Sequence, residues 1–63
     1  MDYKFIKSFF EGDKEYYVYL DENTGKVYKI CDNVQVELTA VEMEALNIDR
    51  DTLRIVRSRK SKK

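Results

Sequence analysis

The sequence predicts an α+β domain: an antiparallel β-meander of four strands, one short helix, then a final strand. Three observations carry this. The chain has no proline and only two glycines, Gly12 and Gly25, each within a polar cluster that reads as a turn. Around those turns lie runs of aromatic and β-branched residues of strand length. Beyond them stands one helix signature, Thr39 followed three residues later by Glu42.

The first strand covers residues 3–10, with Tyr3, Phe5, Ile6, Phe9 and Phe10, and ends at Glu11-Gly12-Asp13-Lys14. Residues 15–21, Glu-Tyr-Tyr-Val-Tyr-Leu-Asp, are the clearest strand, and residues 26–31 form the third. The link from Glu22 to Lys26 suits a type I turn with Gly25 at positive φ in a G1 bulge. That register sets Asp21 opposite Val27, Leu20 opposite Tyr28 and Val18 opposite Ile30. Tyr16, Val18, Leu20, Tyr28 and Ile30 then share the core face, and Tyr17, Tyr19, Val27, Lys29 and Cys31 share the other. Asp32-Asn33 reads as a tight turn into a fourth strand over residues 34–38, where Val34, Val36 and Leu38 alternate with polar residues.

Thr39 as N-cap and Glu42 complete a capping box, Leu38 is the staple residue before it, and Val41, Ala45 and Ile48, with Leu46 nearby, supply the packing stripe. The helix should end near Asn47. Residues 52–57 read as the last strand, with Leu53, Ile55 and Val56 apolar. Residues 1–57 thus form a single domain, with closure as a small SH3-like barrel one way to complete it, and residues 58–63 a basic, flexible C-terminal tail.

At 63 residues the core is near the lower limit of self-sufficiency. One cysteine and no histidine leave neither a disulfide nor a structural zinc site to staple it, so close packing or self-association must help. A lone thiol fits a reducing compartment, no apolar run approaches membrane-spanning length, and Met1-Asp2-Tyr3-Lys4 does not begin a secretory leader. A cytoplasmic protein without membrane contact is expected.

General acid–base chemistry at neutral pH most often uses histidine, and there is none. The carboxylate pairs Asp49/Asp51, Glu42/Glu44 and Asp21/Glu22 fall in turns or on a solvated helix face. Ser8, Ser58 and Ser61 lack an activating base, and Cys31 reads as an inert half-buried thiol. A non-enzymatic protein is expected, with no cofactor and no metal.

Neutrality hides a split in charge. The first 53 residues carry six bases against all twelve acids, whereas the last ten carry six bases and no acid. An acidic body invites a basic protein partner, with Tyr17, Tyr19 and Tyr3 supplying contact area and Glu37, Glu42 and Glu44 supplying charge. A basic strip of Arg54, Arg57, Arg59, Lys60, Lys62 and Lys63 invites nucleic acid, and Tyr17 and Tyr19 could then stack on unpaired bases. Because the sheet reads as apolar on both faces while one short helix covers one, barrel closure, a homodimer or a foreign protein must seal the second.

The stretch from Tyr17 to Arg59 resembles a small phage family of uracil-DNA glycosylase inhibitors that imitate DNA. The resemblance lies in the hairpin Asp21-Glu22-Asn23-Thr24-Gly25-Lys26-Val27-Tyr28, the helix start Leu38-Thr39-Ala40-Val41-Glu42 and the strand Asp51-Thr52-Leu53-Arg54-Ile55. It implies a hairpin, helix and strand that dimerise and present acidic and aromatic groups to a DNA-binding groove, with Glu42 matching the family's helix glutamate. The expected function is therefore an inhibitor or adaptor of phage or mobile-element type that occupies a surface of a host protein, such as a nucleic-acid-processing enzyme. The alternative is a nucleic-acid-binding accessory protein working through the basic strand and tail.

Overall fold

Residues at positive φ fold the first part of the chain into the meander. In a computed structural model, which describes residues 3–58, Gly12 (φ +66) opens a two-residue turn that pairs Glu11 with Lys14. Asp32 (φ 54) and Asn33 (φ 65) form the turn that pairs Cys31 with Val34, as in the primed turns whose twist matches that of paired strands. The strands so joined are β1 (Tyr3–Glu11), β2 (Lys14–Asp21), β3 (Lys26–Cys31) and β4 (Val34–Glu37), hydrogen-bonded in that order in one open antiparallel sheet.

The β2–β3 hairpin departs from the expected register. Its loop is the four residues 22–25, closed by the Gly25 N–H donating to the Asp21 carbonyl at 2.7 Å and by the Asn23 N–H donating to Asp21 Oδ1 at 2.9 Å. No bulge residue follows, so Lys26 pairs with Asp21, Val27 with Leu20 and Tyr28 with Tyr19. A one-residue shift reverses every side chain of β3. Val27, Lys29 and Cys31 therefore join Tyr16, Val18 and Leu20, while Tyr28 and Ile30 join Tyr17 and Tyr19 on the other face.

A bulge between Phe5 and Lys7 makes a second change of parity, in β1. Ile6 packs against the core, and the neighbouring Lys7 Nζ donates to the Leu46 carbonyl at 2.7 Å, so both point to the same side. The bulge puts Ile6, Lys7 and Phe9 on the core side with Lys4 and leaves Tyr3, Phe5, Ser8 and Phe10 on the other.

Two helices lie on the Val18 face. The first, α1 (Ala40–Ala45), has the expected capping box: Thr39 Oγ1 accepts from the Glu42 N–H at 3.2 Å and Glu42 Oε1 accepts from the Thr39 N–H at 3.0 Å. It ends in a Schellman motif at Asn47 (φ 61), whose N–H donates to the Glu44 carbonyl while the Ile48 N–H reaches back to Met43 at 2.8 Å. The expected stripe of Val41 and Ala45 is corrected: both are exposed, Val41 at 75 %. Glu42 is held towards the sheet by Lys29, which rotates Met43 and Leu46 inward and the opposite side outward. Of the three expected residues only Ile48 is buried, and it lies beyond the helix.

Residues 52–57 are helix rather than strand. They lie within α2 (Arg50–Ser58), and so does the Asp51 to Ile55 segment. Asp49 Oδ1 accepts from both the Thr52 N–H and the Thr52 hydroxyl at 2.9 Å, a side-chain cap at the helix start. Leu53 and Val56, three apart, pack into the core, while Ile55 is 59 % exposed, the reverse of a strand in which Leu53 and Ile55 share a face. The β-branched pair Ile55-Val56 favours a strand locally, and the cap with tertiary burial overrides it. With no last strand among the described residues, no barrel closes; β1 and β4 are the edges of an open sheet. Ser58 ends α2, and Arg59, Lys60, Ser61, Lys62 and Lys63 of the expected tail lie outside the described residues.

The core between sheet and helices is Val18, Leu20, Val27, Leu38, Ile48 and Val56, with Ile6, Phe9, Met43, Leu46 and Leu53 around it. So small a core tolerates little loss. Leu20→Ala should destabilise the fold by about 2–5 kcal/mol, enough to leave much of the chain unfolded. Asn47→Ala should cost about 1 kcal/mol because alanine resists the left-handed conformation, whereas Asn47→Gly should stay within about 0.5 kcal/mol of wild type. Urea unfolding followed by circular dichroism measures all three, and equal loss from both Asn47 variants would contradict the Schellman geometry.

Candidate protein-binding face

The helices cover one side of the sheet and leave the other open. On that open side the strand registers align Phe5, Tyr19, Tyr28 and Glu37 in one row across all four strands, and Ser8, Tyr17, Ile30 and Gln35 in the next. Tyr3 and Phe10 extend the face at the two ends of β1. Six of the eight aromatic residues thus share a face that no other element among the described residues covers. Phe10 is 70 % exposed, Phe5 44 % and Tyr17 42 %.

The rings meet in two groups. Phe5 meets Tyr19 edge-on at 5.6 Å and Tyr17 at 6.5 Å, and Tyr3 meets Tyr28 edge-on at 6.3 Å. Phe5 thus meets rings of the adjacent strand β2, whereas Tyr3 of β1 reaches across β2 to Tyr28 of β3. The remaining two aromatics, Phe9 and Tyr16, stack at 5.2 Å on the helical side, where Lys29 Nζ sits 5.3 Å from the Tyr16 ring.

Charge on the open face is mostly negative. Glu15, Asp21 and Glu37 occur there with one base, Lys26, which stands opposite Asp21 and 4.0 Å from Glu37. The Tyr17 hydroxyl donates to Glu15 Oε1 at 3.0 Å, and that bond to a carboxylate pushes the phenol pKa up, so the tyrosine stays a neutral donor.

The residues expected to make protein contact divide between the two sides. Tyr17, Tyr19 and Glu37 lie together on the open face. Glu42 and Glu44 lie in the helical layer, where Glu42 already binds Lys29 Nζ at 2.8 Å and caps Thr39, while Glu44 is exposed. Phe5, Phe10, Tyr28, Ile30 and Glu15 complete the patch and were not singled out by sequence. A four-residue hairpin loop would have assigned Tyr28 and Ile30 correctly, but nothing local in the sequence marks the β1 bulge that puts Phe5 and Phe9 on opposite faces.

The expected nucleic-acid residues Arg54 and Arg57 fall on α2, in line with Arg50 at helical spacing, and Arg54 pairs with Asp51 at 2.8 Å. Arg59, Lys60, Lys62 and Lys63 lie outside the described residues. Among the described residues no three potential metal ligands gather, and no helix is long and apolar enough to cross a membrane. Burial and the nearby Asp32 raise the Cys31 thiol pKa, which disfavours the reactive thiolate.

The Lys29–Glu42 pair makes stability pH-dependent in a calculable direction. The Lys29 ammonium, with the Thr39 N–H, holds the Glu42 carboxyl below its ordinary pKa, and the bonds from Thr52 do the same for Asp49. The stability these groups confer is present above the ordinary carboxylate range and is lost as pH falls through the lowered values. Lys29 is raised by Glu42, so its share persists until pH climbs through that raised value. Unfolding midpoints should therefore be level near neutrality and fall in acid, and Glu42→Gln, which keeps the cap acceptor without the charge, should flatten part of the acid limb. An unchanged acid limb in that variant would dismiss the pair as a stabilising contact. No family model, curated protein or solved structure matches this chain.

Proposed function

We propose that the protein is a small non-enzymatic binding module, an inhibitor or adaptor that acts by occupying a surface of another protein. The observation that carries this is the placement of six aromatic residues on a sheet face that no other element among the described residues covers. A fold this short of core gains nothing by leaving Phe5, Phe10 and Tyr17 in water, since each would stabilise it more if buried. Tyrosine and phenylalanine on a stiff sheet offer a large contact area with little rotamer entropy to lose. The carboxylates that could have served chemistry have structural work instead: Asp49 and Glu42 cap helices, and Asp21 accepts from the loop backbone. A host enzyme that processes nucleic acid is the target class to which the inhibitor resemblance leads.

The test is capture of a stoichiometric partner from host extract by wild type, by Phe5→Ser/Tyr17→Ser and by Val41→Ser on the opposite layer. Partner affinity should fall at least about 30-fold in the double variant, as for two contact anchors, and stay unchanged in Val41→Ser. Circular dichroism and thermal unfolding check that both variants remain folded. Retention by the folded double variant would overturn the reading, as would loss of the partner on nuclease treatment.

A further inference from the structure

The second helix gathers a different surface on the far side of the molecule. Arg50, Arg54 and Arg57 recur at i, i+4 and i+7, so the three guanidinium groups lie along one side of α2 over about 10 Å of axis. Together with Leu53 they line one shallow groove. All three arginines are exposed. Their acidic competition is thin: Arg54 contacts Asp51 at 2.8 Å, but both side chains are more than three-quarters exposed, and such a pair exchanges readily for a better partner.

The geometry points to this arginine stripe as a contact for the phosphate backbone of a nucleic acid, a site separate from the aromatic face. Charge complementarity selects the occupant. From Arg50 to the end of the chain there are seven bases and one acid, whereas the preceding residues hold eleven acids and five bases. A row of cations that begins on a helix and continues in the covalent chain suits a linear polyanion with regularly spaced charges better than a single anion. Guanidinium groups bind phosphate oxygens in a fork that lysine cannot reproduce. The stripe lies on the helical layer, on the other side of the sheet from the face that carries Glu15 and Glu37, and only Arg57 reaches the β2–β3 loop, at Gly25.

The three arginines act through electrostatics without reading bases, which fixes the expected signature. The full chain should bind fluorescein-labelled 20-nucleotide single-stranded DNA, RNA and duplex DNA with affinity that falls linearly in log salt. Arg50→Gln/Arg54→Gln/Arg57→Gln should lower affinity at least about tenfold in low salt and reduce the magnitude of the salt slope by about 2–3, the share of three phosphate contacts. Circular dichroism confirms that the triple variant keeps its helix. A paired variant, Arg59→Gln/Lys60→Gln/Lys62→Gln/Lys63→Gln, separates helix from terminus: if it abolishes binding while the α2 variant binds as wild type, the stripe is not the site. Equal binding to vesicles with anionic headgroups, lost in the same α2 variant, would show a general anion surface and overturn the nucleic-acid assignment. The Phe5→Ser/Tyr17→Ser variant should bind nucleic acid as wild type does, and loss there would shift the contact to stacking on the open face.

Discussion

Lysines on the inner face of the sheet determine where everything else goes. Lys29 stands opposite Val18 at the middle of the sheet, a position that would hold an apolar residue in most cores. Its side chain is half-buried there, and Glu42 supplies a counter-charge to the ammonium at 2.8 Å. The same carboxylate closes the capping box with Thr39, so one side chain starts the helix and ties it to the sheet. Lys7 and Lys4 repeat the device by donating to the carbonyls of Leu46 and Arg57, at or near the ends of α1 and α2, where cations also favour the helix dipole. Three lysines of one sheet face thus anchor two short helices that have little apolar surface of their own.

This anchoring has a consequence on the opposite face. Once the lysine side of the sheet takes both helices, the side bearing most of the aromatics has no element left to cover it. The three lysines share the helical side with the apolar core, their ends bound to residues of α1, its C-cap and α2, while six of the eight rings lie on the other face. Sequence hydrophobicity alone cannot foresee that. A lysine at position 29 reads as outward-facing until the partner that accepts it is known, and Tyr28 and Ile30 read as core for the same reason.

Much of the secondary structure was legible in local chemistry. Gly12, Asp32-Asn33 and the Thr39/Glu42 box each specify their own geometry within a few residues, and each forms where the sequence puts it. What was not legible depends on parity and on distant contacts. The hairpin loop from Glu22 to Gly25 is one residue shorter than the G1-bulge alternative, a small difference in turn energy that reverses the faces of β3. The bulge at Phe5/Lys7 does the same for β1. For α2, the Asp49/Thr52 cap was present in the sequence but lost out to the β-branched Ile55-Val56, whose unlike burial only the packed core decides. The aromatic candidates Tyr17 and Tyr19 were assigned to the non-core face because β2 has neither shift nor bulge against its own alternation.

The same geometry organises charge. Assigning residues 50–58 to a helix rather than a strand brings Arg50 into line with Arg54 and Arg57, because four- and three-residue spacings share a helix face but fall on both faces of a strand. The helix packs through Leu53 and Val56 and leaves the arginines exposed along the flank of that contact, with the Arg57 guanidinium reaching Gly25 of the β2–β3 loop. The open face, with Glu15, Asp21 and Glu37 among its rings, points the other way. The arginine row and the aromatic face are thereby separate surfaces, with Glu42, Glu44 and Asp51 also on the helical layer beside the arginines. Two partners would then meet different surfaces, and salt would weaken the arginine side far more than a face whose contact area is largely apolar.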